Sequence, residues 1–188
     1  MRIVVGSRNQ HKISEFKKEF SKINIEVVGV DEVLIDKNVP DPIEDGNTFK
    51  ENAIIKAKYY YDLTKIPCLC DDSGLCVVDL NGDPGINSAR YSGGSDKDNR
   101  DLLRKNLKGI FPATAYFNCD LIYYDGKEII SANGKVYGEI IDEERGCEGF
   151  GYDAIFYYPP FNKTLAQMDM DEKNQISHRG VAIKEMIN

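Results

Sequence analysis

A long stretch near the middle of the sequence alternates between apolar and polar residues and turns back on itself. Residues 113–124 are rich in residues that favour β-strands, and Asp125-Gly126 has the composition of a tight turn. Residues 128–141 can then run back as the partner strand. This pattern predicts a long antiparallel hairpin, which has to lie in a sheet with at least one covered face.

The segments before the hairpin predict a short strand and several helices. Residues 2–6 predict a short buried strand, and apolar residues recur at helical spacing after Asn9. Thr48 and Glu51 form a capping box that starts a second helix, and Ser95 can cap a third. We predict an α/β fold with a mixed sheet covered by helices. No Pro/Ser-rich linker interrupts residues 1–188, so we expect a single domain.

The size and charge of the chain limit the kinds of partner it can have. A chain of 188 residues can bury about 70% of its unfolded surface without disulfides or metal. Its only N-terminal apolar run, residues 3–5, is too short for a signal peptide or a membrane span, so we expect a cytoplasmic protein. The net charge of −7, with no basic block, argues against a nucleic acid or a membrane surface as partner.

The five cysteines predict packing rather than metal binding. Cys68, Cys70, Cys76 and Cys119 lie in apolar or strand-like runs, and Cys147 is the fifth. An odd number of cysteines without paired ligand spacing favours reduced thiols in the core over a disulfide framework or a zinc site.

The loop after the first strand, "GSRNQHK" at 6–12, resembles a phosphate loop only in part. Gly6 and Lys12 have the required spacing, but His11 replaces a glycine and Ile13 replaces Ser/Thr. A loop that leads into a helix still offers backbone N–H groups, and Lys12 can reach phosphate oxygens. The alternative is an ordinary turn with solvated Arg8 and Lys12.

The stretch "DDSG" at 71–74 offers two adjacent carboxylates. Neighbouring strand residues point to opposite faces, so Asp71 and Asp72 can serve one site only if the strand, predicted over 68–71, ends between them. A carboxylate just past a strand end, before Ser73, lies where open α/β sheets bind ligands. Glu44 with Asp72 would suffice for Mg²⁺ that is shared with phosphates. The alternative is a helix cap or a solvated pair.

Two segments near the C-terminus could contact a nucleotide. The sequences "GFGYD" at 149–153 and "EKNQISHR" at 172–179 combine flexible backbone, an aromatic ring and polar donors, which suit a flat heterocycle and its phosphates. Phe150 and Tyr152 could equally be core aromatics.

The sequence resembles the inosine triphosphate pyrophosphatase family in five motifs, which occur in the same order as in that family. They are "GSRNQHK", "EDGNTFKENAIIKA" at 44–57, "DDSGL…LNGDPGINSARY" across 71–91, "FGYDAIF" at 150–156 and "KNQISHR" at 173–179. The resemblance implies Mg²⁺-dependent hydrolysis of ITP, dITP and XTP to the monophosphate and pyrophosphate. It also implies an elongated two-lobed α/β fold with a long mixed central sheet flanked by helices, a nucleotide cleft between the lobes, and a homodimer.

The resemblance also implies roles for individual residues. Asp72 matches the proton acceptor, and Glu44 and Asp72 match the metal-associated positions. The implied substrate contacts are Ser7, Arg8, Asn9, Gln10, His11, Lys12, Ser73, Phe150, Gly151, Tyr152, Asp153, Lys173, His178 and Arg179. Arg8 and His11 stand where many members have glycine, and Ala154 replaces a common proline. Two alternatives stay open: a pyrophosphatase for other modified nucleotides, or a module that binds nucleotides without hydrolysis.

Overall fold

A seven-stranded sheet forms the centre of the computed structural model, which describes residues 1–188. The strands are β1 (Arg2–Val5), β2 (Glu26–Gly29), β3 (Cys68–Val77), β4 (Ala113–Tyr124), β5 (Ile129–Ile140), β6 (Phe156–Tyr158) and β7 (Lys163–Thr164). Their order in the sheet is β2-β1-β3-β4-β5-β6-β7. Strand β1 pairs in parallel with β2 and β3, whereas β6 pairs antiparallel with β5 and β7. The predicted mixed sheet is therefore confirmed.

Five α-helices accompany the sheet, and their starts follow the local sequence. They are α1 (Gln10–Ser21), α2 (Phe49–Thr64), α3 (Asp96–Leu107), α4 (Met170–Ile176) and α5 (His178–Ile187). The hydroxyl of Thr48 accepts a hydrogen bond from the amide of Glu51, and Ser95 forms a full capping box with Asp98. The cap predicted at Ser95 is confirmed, whereas the capping box predicted at Thr48 is only half formed, because the Glu51 carboxylate accepts from the amide of Asn47 instead of that of Thr48. None of these helices combines the length and the apolar character that crossing a membrane requires.

The chain forms two compact units. The first unit consists of Met1–Asp72, Cys119–Asn133 and Ala182–Asn188, and the second of Ser73–Asn118 and Gly134–Val181. The single domain expected for residues 1–188 stays a prediction, because such a unit can be part of one domain or a domain of its own.

The core of the first unit lies on both faces of its strands. Ile3 and Val5 of β1 pack in one buried cluster with Phe16 of α1, whereas Val4 packs in another with Ala57 of α2. This assignment follows from the period of two in a strand, which sends successive side chains to opposite faces. Both faces of β1 are covered, which explains its continuous apolar sequence.

The core of the second unit forms around α3. Leu103 and Leu107, one helical turn apart, are fully buried with Leu75 of β3. The rings of Phe117 and Phe156 add to this cluster, with their centroids 4.8 Å apart. The second unit therefore has a hydrophobic core of its own.

The cysteines occupy the places expected from the sequence. Cys68, Cys70, Cys76 and Cys119 are buried with free thiols, and Cys147 is exposed. Burial raises the pKa of the Cys68 thiol to about 12 and raises that of Cys70 well above its ordinary value. The predicted packing of cysteines in the core is confirmed for the four buried residues.

Candidate active site

Lys12 and Asp71 form a buried ion pair in the first unit. The ammonium nitrogen of Lys12, in the first turn of α1, lies 3.0 Å from Oδ2 of Asp71 in β3. The Asp71 side chain is only 1% exposed and that of Lys12 is 16% exposed. Because a buried charge requires a partner, Asp71 fixes the position of the Lys12 ammonium group.

The loop between β1 and α1 is organised by Asn9. The Asn9 side chain accepts hydrogen bonds from the amides of His11 (3.0 Å) and Lys12 (3.2 Å), and the Asn9 amide donates to Ser7 Oγ at 3.1 Å. The amides of His11 and Lys12 are therefore not open to a phosphate, contrary to the expectation from the loop's composition, because both donate to the N-cap side chain. Gln10 and His11 are exposed, whereas Ser7, Asn9 and Lys12 are half-buried.

Asp72 is held by two side chains of α2. Nδ2 of Asn52 donates to Asp72 Oδ2 at 3.1 Å, and Nζ of Lys56 lies 3.4 Å from Asp72 Oδ1. Burial of Asp72 raises its pKa; Lys56 opposes this rise, and the nearby charge of Glu44 adds to it. A carboxylate with a raised pKa takes up a proton more readily, which suits a general base.

Glu44 shares the same ammonium group. Lys56 Nζ lies 2.9 Å from Oε2 of Glu44, so this lysine contacts both predicted metal ligands. Burial of Lys56 disfavours its charged form, but the negative charges of Asp72, Asp71 and Glu44 together outweigh burial and raise its pKa. Glu44 and Asp72 therefore lie around one firmly charged cation.

The chemistry of these donors fits a magnesium ion shared with a substrate. The two carboxylates converge on one cation, and Mg²⁺ bound together with phosphates needs only one or two protein carboxylates. The chain contains no group of three or more His, Cys, Asp or Glu side chains that could hold a metal ion. The donor set thus suits a hard cation that completes its coordination with other oxygen ligands.

The structure corrects the predicted end of β3. The strand continues through both aspartates to Val77, so Asp72 does not lie past a strand end. Asp71 and Asp72 point to opposite faces, where they contact Lys12 and the pair Asn52 and Lys56, respectively. The strand can continue because each carboxylate has its own polar partner, which composition alone does not reveal.

In the second unit, Asp153 connects Lys173 with Phe150. Its Oδ2 atom accepts hydrogen bonds from the Phe150 amide at 3.0 Å and from Lys173 Nζ at 2.8 Å. The Lys173 ammonium also lies 5.0 Å from the centroid of the Phe150 ring, within the range of a cation–π interaction. These three predicted contacts therefore form one cluster.

The backbone of Gly151 is fixed by α3. Its amide donates to Asp96 Oδ2 and its carbonyl accepts from Arg100 Nη1, both at 2.8 Å. Gly151 has a φ of 61°, a left-handed conformation that favours glycine. Tyr152 is buried, and its hydroxyl donates to the Ser88 carbonyl at 2.8 Å, so this predicted substrate contact lies in the core.

His178 and Arg179 begin α5 and are both buried. The His178 ring stacks on Phe117, with centroids 4.8 Å apart and an interplanar angle of 13°. Nη2 of Arg179 donates to Ser73 Oγ at 3.2 Å. The predicted contacts Ser73 and Arg179 are thus brought together, and they place strong donors in surroundings from which water is excluded.

Sequence reasoning missed four polar residues that position these groups. Asn52 and Lys56 lie four residues apart on the buried face of α2 that also carries Ala53 and Ala57, and a polar pair on an apolar stripe was a usable signal. The other two, Asp96 and Arg100, lie on the polar side of α3 and carry no such signal.

Comparison with known proteins places the chain in a family. The model of the Ham1 family matches residues 3–188. A dITP/XTP pyrophosphatase of Desulfotalea psychrophila is 41% identical, over 98% of this chain and 82% of the relative. One of Campylobacter jejuni subsp. jejuni is also 41% identical, over 98% of this chain and 94% of the relative.

Solved structures agree with this placement. The Staphylococcus aureus Ham1 protein superimposes with a TM-score of 0.86 at 41% identity, and a HAM1 protein from Coxiella burnetii with a TM-score of 0.87 at 36% identity. Each comparison covers 99% of this chain and 96% of the other. The chain therefore belongs to the Ham1 family.

Proposed function

We propose that this protein hydrolyses deaminated purine nucleoside triphosphates, namely ITP, dITP and XTP, to the monophosphate and pyrophosphate. The buried carboxylate of Asp72, fixed by Asn52 and Lys56 beside Glu44, carries the proposal because it has the setting of a general base. The names of the curated relatives, dITP/XTP pyrophosphatases, support the substrate class.

Glu44 and Asp72 would hold the magnesium ion, which when bound neutralises charge on the triphosphate. Asp72 accepts the proton of the attacking water, and its raised pKa favours this transfer. Asn52 and Lys56 keep the Asp72 carboxylate in one orientation, since each donates to a different oxygen atom.

Two lysines supply positive charge to the nucleotide. Lys12, fixed by Asp71, stabilises the charge that develops on the departing pyrophosphate, and Lys173, fixed by Asp153, binds the nucleotide as a second cation. Although the protein has a net charge of −7, Lys12 and Lys173 thus present positive charge to its anionic substrate.

The base is selected by hydrogen-bond donors and by stacking. Hypoxanthine and xanthine carry an oxygen acceptor at the 6-position, where adenine carries an amino donor. The donors of residues 177–179 would face that amino group unpaired, and a buried unpaired donor is costly. Phe150 provides an aromatic surface for the ring.

The deciding experiment measures pyrophosphate and orthophosphate released from ITP, dITP, XTP, GTP, ATP and a modified pyrimidine triphosphate, with and without Mg²⁺. We expect pyrophosphate from the deaminated purines only when Mg²⁺ is present. Asp72→Asn should lower turnover by about 100-fold or more, the scale of a lost general base. Asp79→Asn, at an exposed position, is the matched control.

Three results would contradict the proposal. Comparable hydrolysis of ATP and ITP at subsaturating concentrations would contradict the proposed selectivity. Nucleotide that is bound but not hydrolysed in the presence of Mg²⁺ would indicate a sensing module. Near wild-type turnover of Asp72→Asn would remove the assigned base.

The proposal includes a homodimer, as the family resemblance implies, in the cytoplasm, as the short N-terminal apolar run suggests. The four buried free thiols are in keeping with a reducing compartment. Sedimentation equilibrium should give twice the 21.2 kDa chain mass, and a monomer mass would contradict the dimer.

A further inference from the structure

The guanidinium group of Arg8 is directed at one segment of the first unit. Its Nε atom lies 3.0 Å from Asp31 Oδ1, its Nη2 atom donates to the Val39 carbonyl at 2.7 Å, and its Nη1 atom contacts the Asp41 carboxylate. All three nitrogens of the planar group therefore bind residues 31–41. The Arg8 side chain is 28% exposed, and its pKa is raised chiefly by the hydrogen bond to Asp31.

The segment that Arg8 contacts leads directly to Glu44. Residues 33–48 contain no helix or strand, so side chains from elsewhere have to fix their position. Helix α2 does so on one side: Tyr59 donates to the Pro40 carbonyl and Tyr60 to Asp41 Oδ1, each at 2.7 Å. Lys56 continues this row of contacts at Glu44.

Arg8 and Tyr60 meet at the same oxygen atom. Asp41 Oδ1 accepts from both, so this carboxylate joins the loop after β1 to α2. The Tyr60 ring in turn packs closely against Gly6, where an added Cβ would lie 2.5 Å from the ring. A movement of Arg8 therefore changes the support of the segment that carries Glu44.

We propose that Arg8 is a positioning residue that fixes residues 31–41 and thereby keeps Glu44 beside Lys56 and Asp72. The inference rests on the proposed function for the role of Glu44 as a metal ligand. It differs from the expectation that Arg8 contacts the substrate, because the guanidinium is occupied by the protein's own carboxylates and a carbonyl. Ordering a long loop is entropically costly, and charged hydrogen bonds offset that cost.

The first test does not depend on activity. Hydrogen exchange of peptides covering residues 32–46 is measured without nucleotide or metal in wild type, Arg8→Gln, Asp41→Asn and the double variant. Arg8→Gln should raise exchange by about tenfold, and the double variant should exchange no faster than the faster single variant. Arg2→Gln removes an exposed ion pair with Glu26 and is the matched control.

The second test separates positioning from substrate contact. In Arg8→Gln, the Mn²⁺ concentration that half-saturates the protein in the absence of nucleotide should rise by about tenfold. Loss of a residue that supports a metal ligand typically weakens metal binding on this scale. The KM for ITP at saturating Mg²⁺ should stay within about twofold of wild type. Arg8→Lys should restore part of the metal affinity.

Unchanged exchange in Arg8→Gln, or a raised KM with unchanged metal affinity, would overturn the positioning role. These outcomes are distinct from failure of the proposed function, which would appear as absent hydrolysis in the wild-type protein. Hydrogen exchange tests the role of Arg8 in either case, because it requires neither substrate nor turnover.

Discussion

Lys12 and Asp71 lie 59 positions apart in the sequence, and their ion pair joins the first turn of α1 to β3 inside the first unit. Asp71 had no role assigned from the sequence. Its position shows that the first aspartate of the pair fixes Lys12, whereas the second shares the ammonium group of Lys56 with Glu44.

The buried pair should be strongly coupled in stability. Lys12→Met and Asp71→Asn should each lower the free energy of unfolding by about 3 kcal/mol, because each removes the opposite charge from a group that is largely buried. The double variant should lose less than the sum, since neither charge then remains. Urea unfolding measures all three values.

A surface ion pair that also involves a lysine of α1 is the control for that cycle. Lys17 and Glu32 form an ion pair of 2.7 Å with both side chains about half exposed. Lys17→Met and Glu32→Gln should each cost less than about 1 kcal/mol. Strict additivity at Lys12 and Asp71 would contradict their coupling.

The pH dependence of hydrolysis should report on Asp72. The hydrogen bond from Asn52 and the charge of Lys56 both lower the Asp72 pKa, so Asn52→Leu and Lys56→Met should raise it further. A base acts in its ionised form, which is lost as pH falls through the pKa. The acidic limb of kcat/KM should therefore move to higher pH in both variants.

Asn106 of α3 donates a hydrogen bond to the hydroxyl of Tyr91, and Asn106→Leu is the control for the pH profiles. It should leave the acidic limb unchanged. A limb that stays in place in Asn52→Leu and Lys56→Met, in proteins that remain folded by circular dichroism, would show that another group controls it.

Phe150 should contribute to binding rather than to the chemical step. Phe150→Ala should raise the KM for ITP by about tenfold, the scale of one lost stacking contact with a base, with kcat changed little. Steady-state kinetics with Phe161→Ala, a partly exposed aromatic, provide the comparison. A fall in kcat at constant KM would argue against stacking.

One thiol should react rapidly with a disulfide reagent at pH 8. Burial raises the pKa of Cys68, Cys70 and Cys76, so the reactive thiolate is scarce at these positions, whereas Cys147 is exposed. Cys147→Ser should abolish the rapid phase, and unfolding should make all remaining thiols reactive. A second rapid thiol in the folded protein would contradict the buried assignment.

Local signals in the sequence predict the helices well. Thr48 with Glu51 and Ser95 with Asp98 are contacts within one turn, so the sequence alone contains both partners. Strand β2 was not predicted because a run of four residues is too short for its alternation to stand out.

The surroundings of the two aspartates could not be predicted in the same way. Polar residues 71–74 have the composition of a strand end, and the partners that let β3 continue lie 16 to 59 positions away. The burial of Lys56 depends in the same way on Glu44 and Asp72, which only the folded chain brings to it.

The contacts of α2 with the preceding segment set a limit on how the chain can change in length. Residues 40–46 run along this helix in the opposite direction: Pro40 and Asp41 lie at Tyr59 and Tyr60, Glu44 at Lys56, and Gly46 at Asn52. One residue inserted between positions 52 and 60 would rotate part of this row by about 100°. Homologous chains should therefore accept insertions and deletions at residues 34–38, where the backbone has no such partners in α2, and exclude them from this part of the helix.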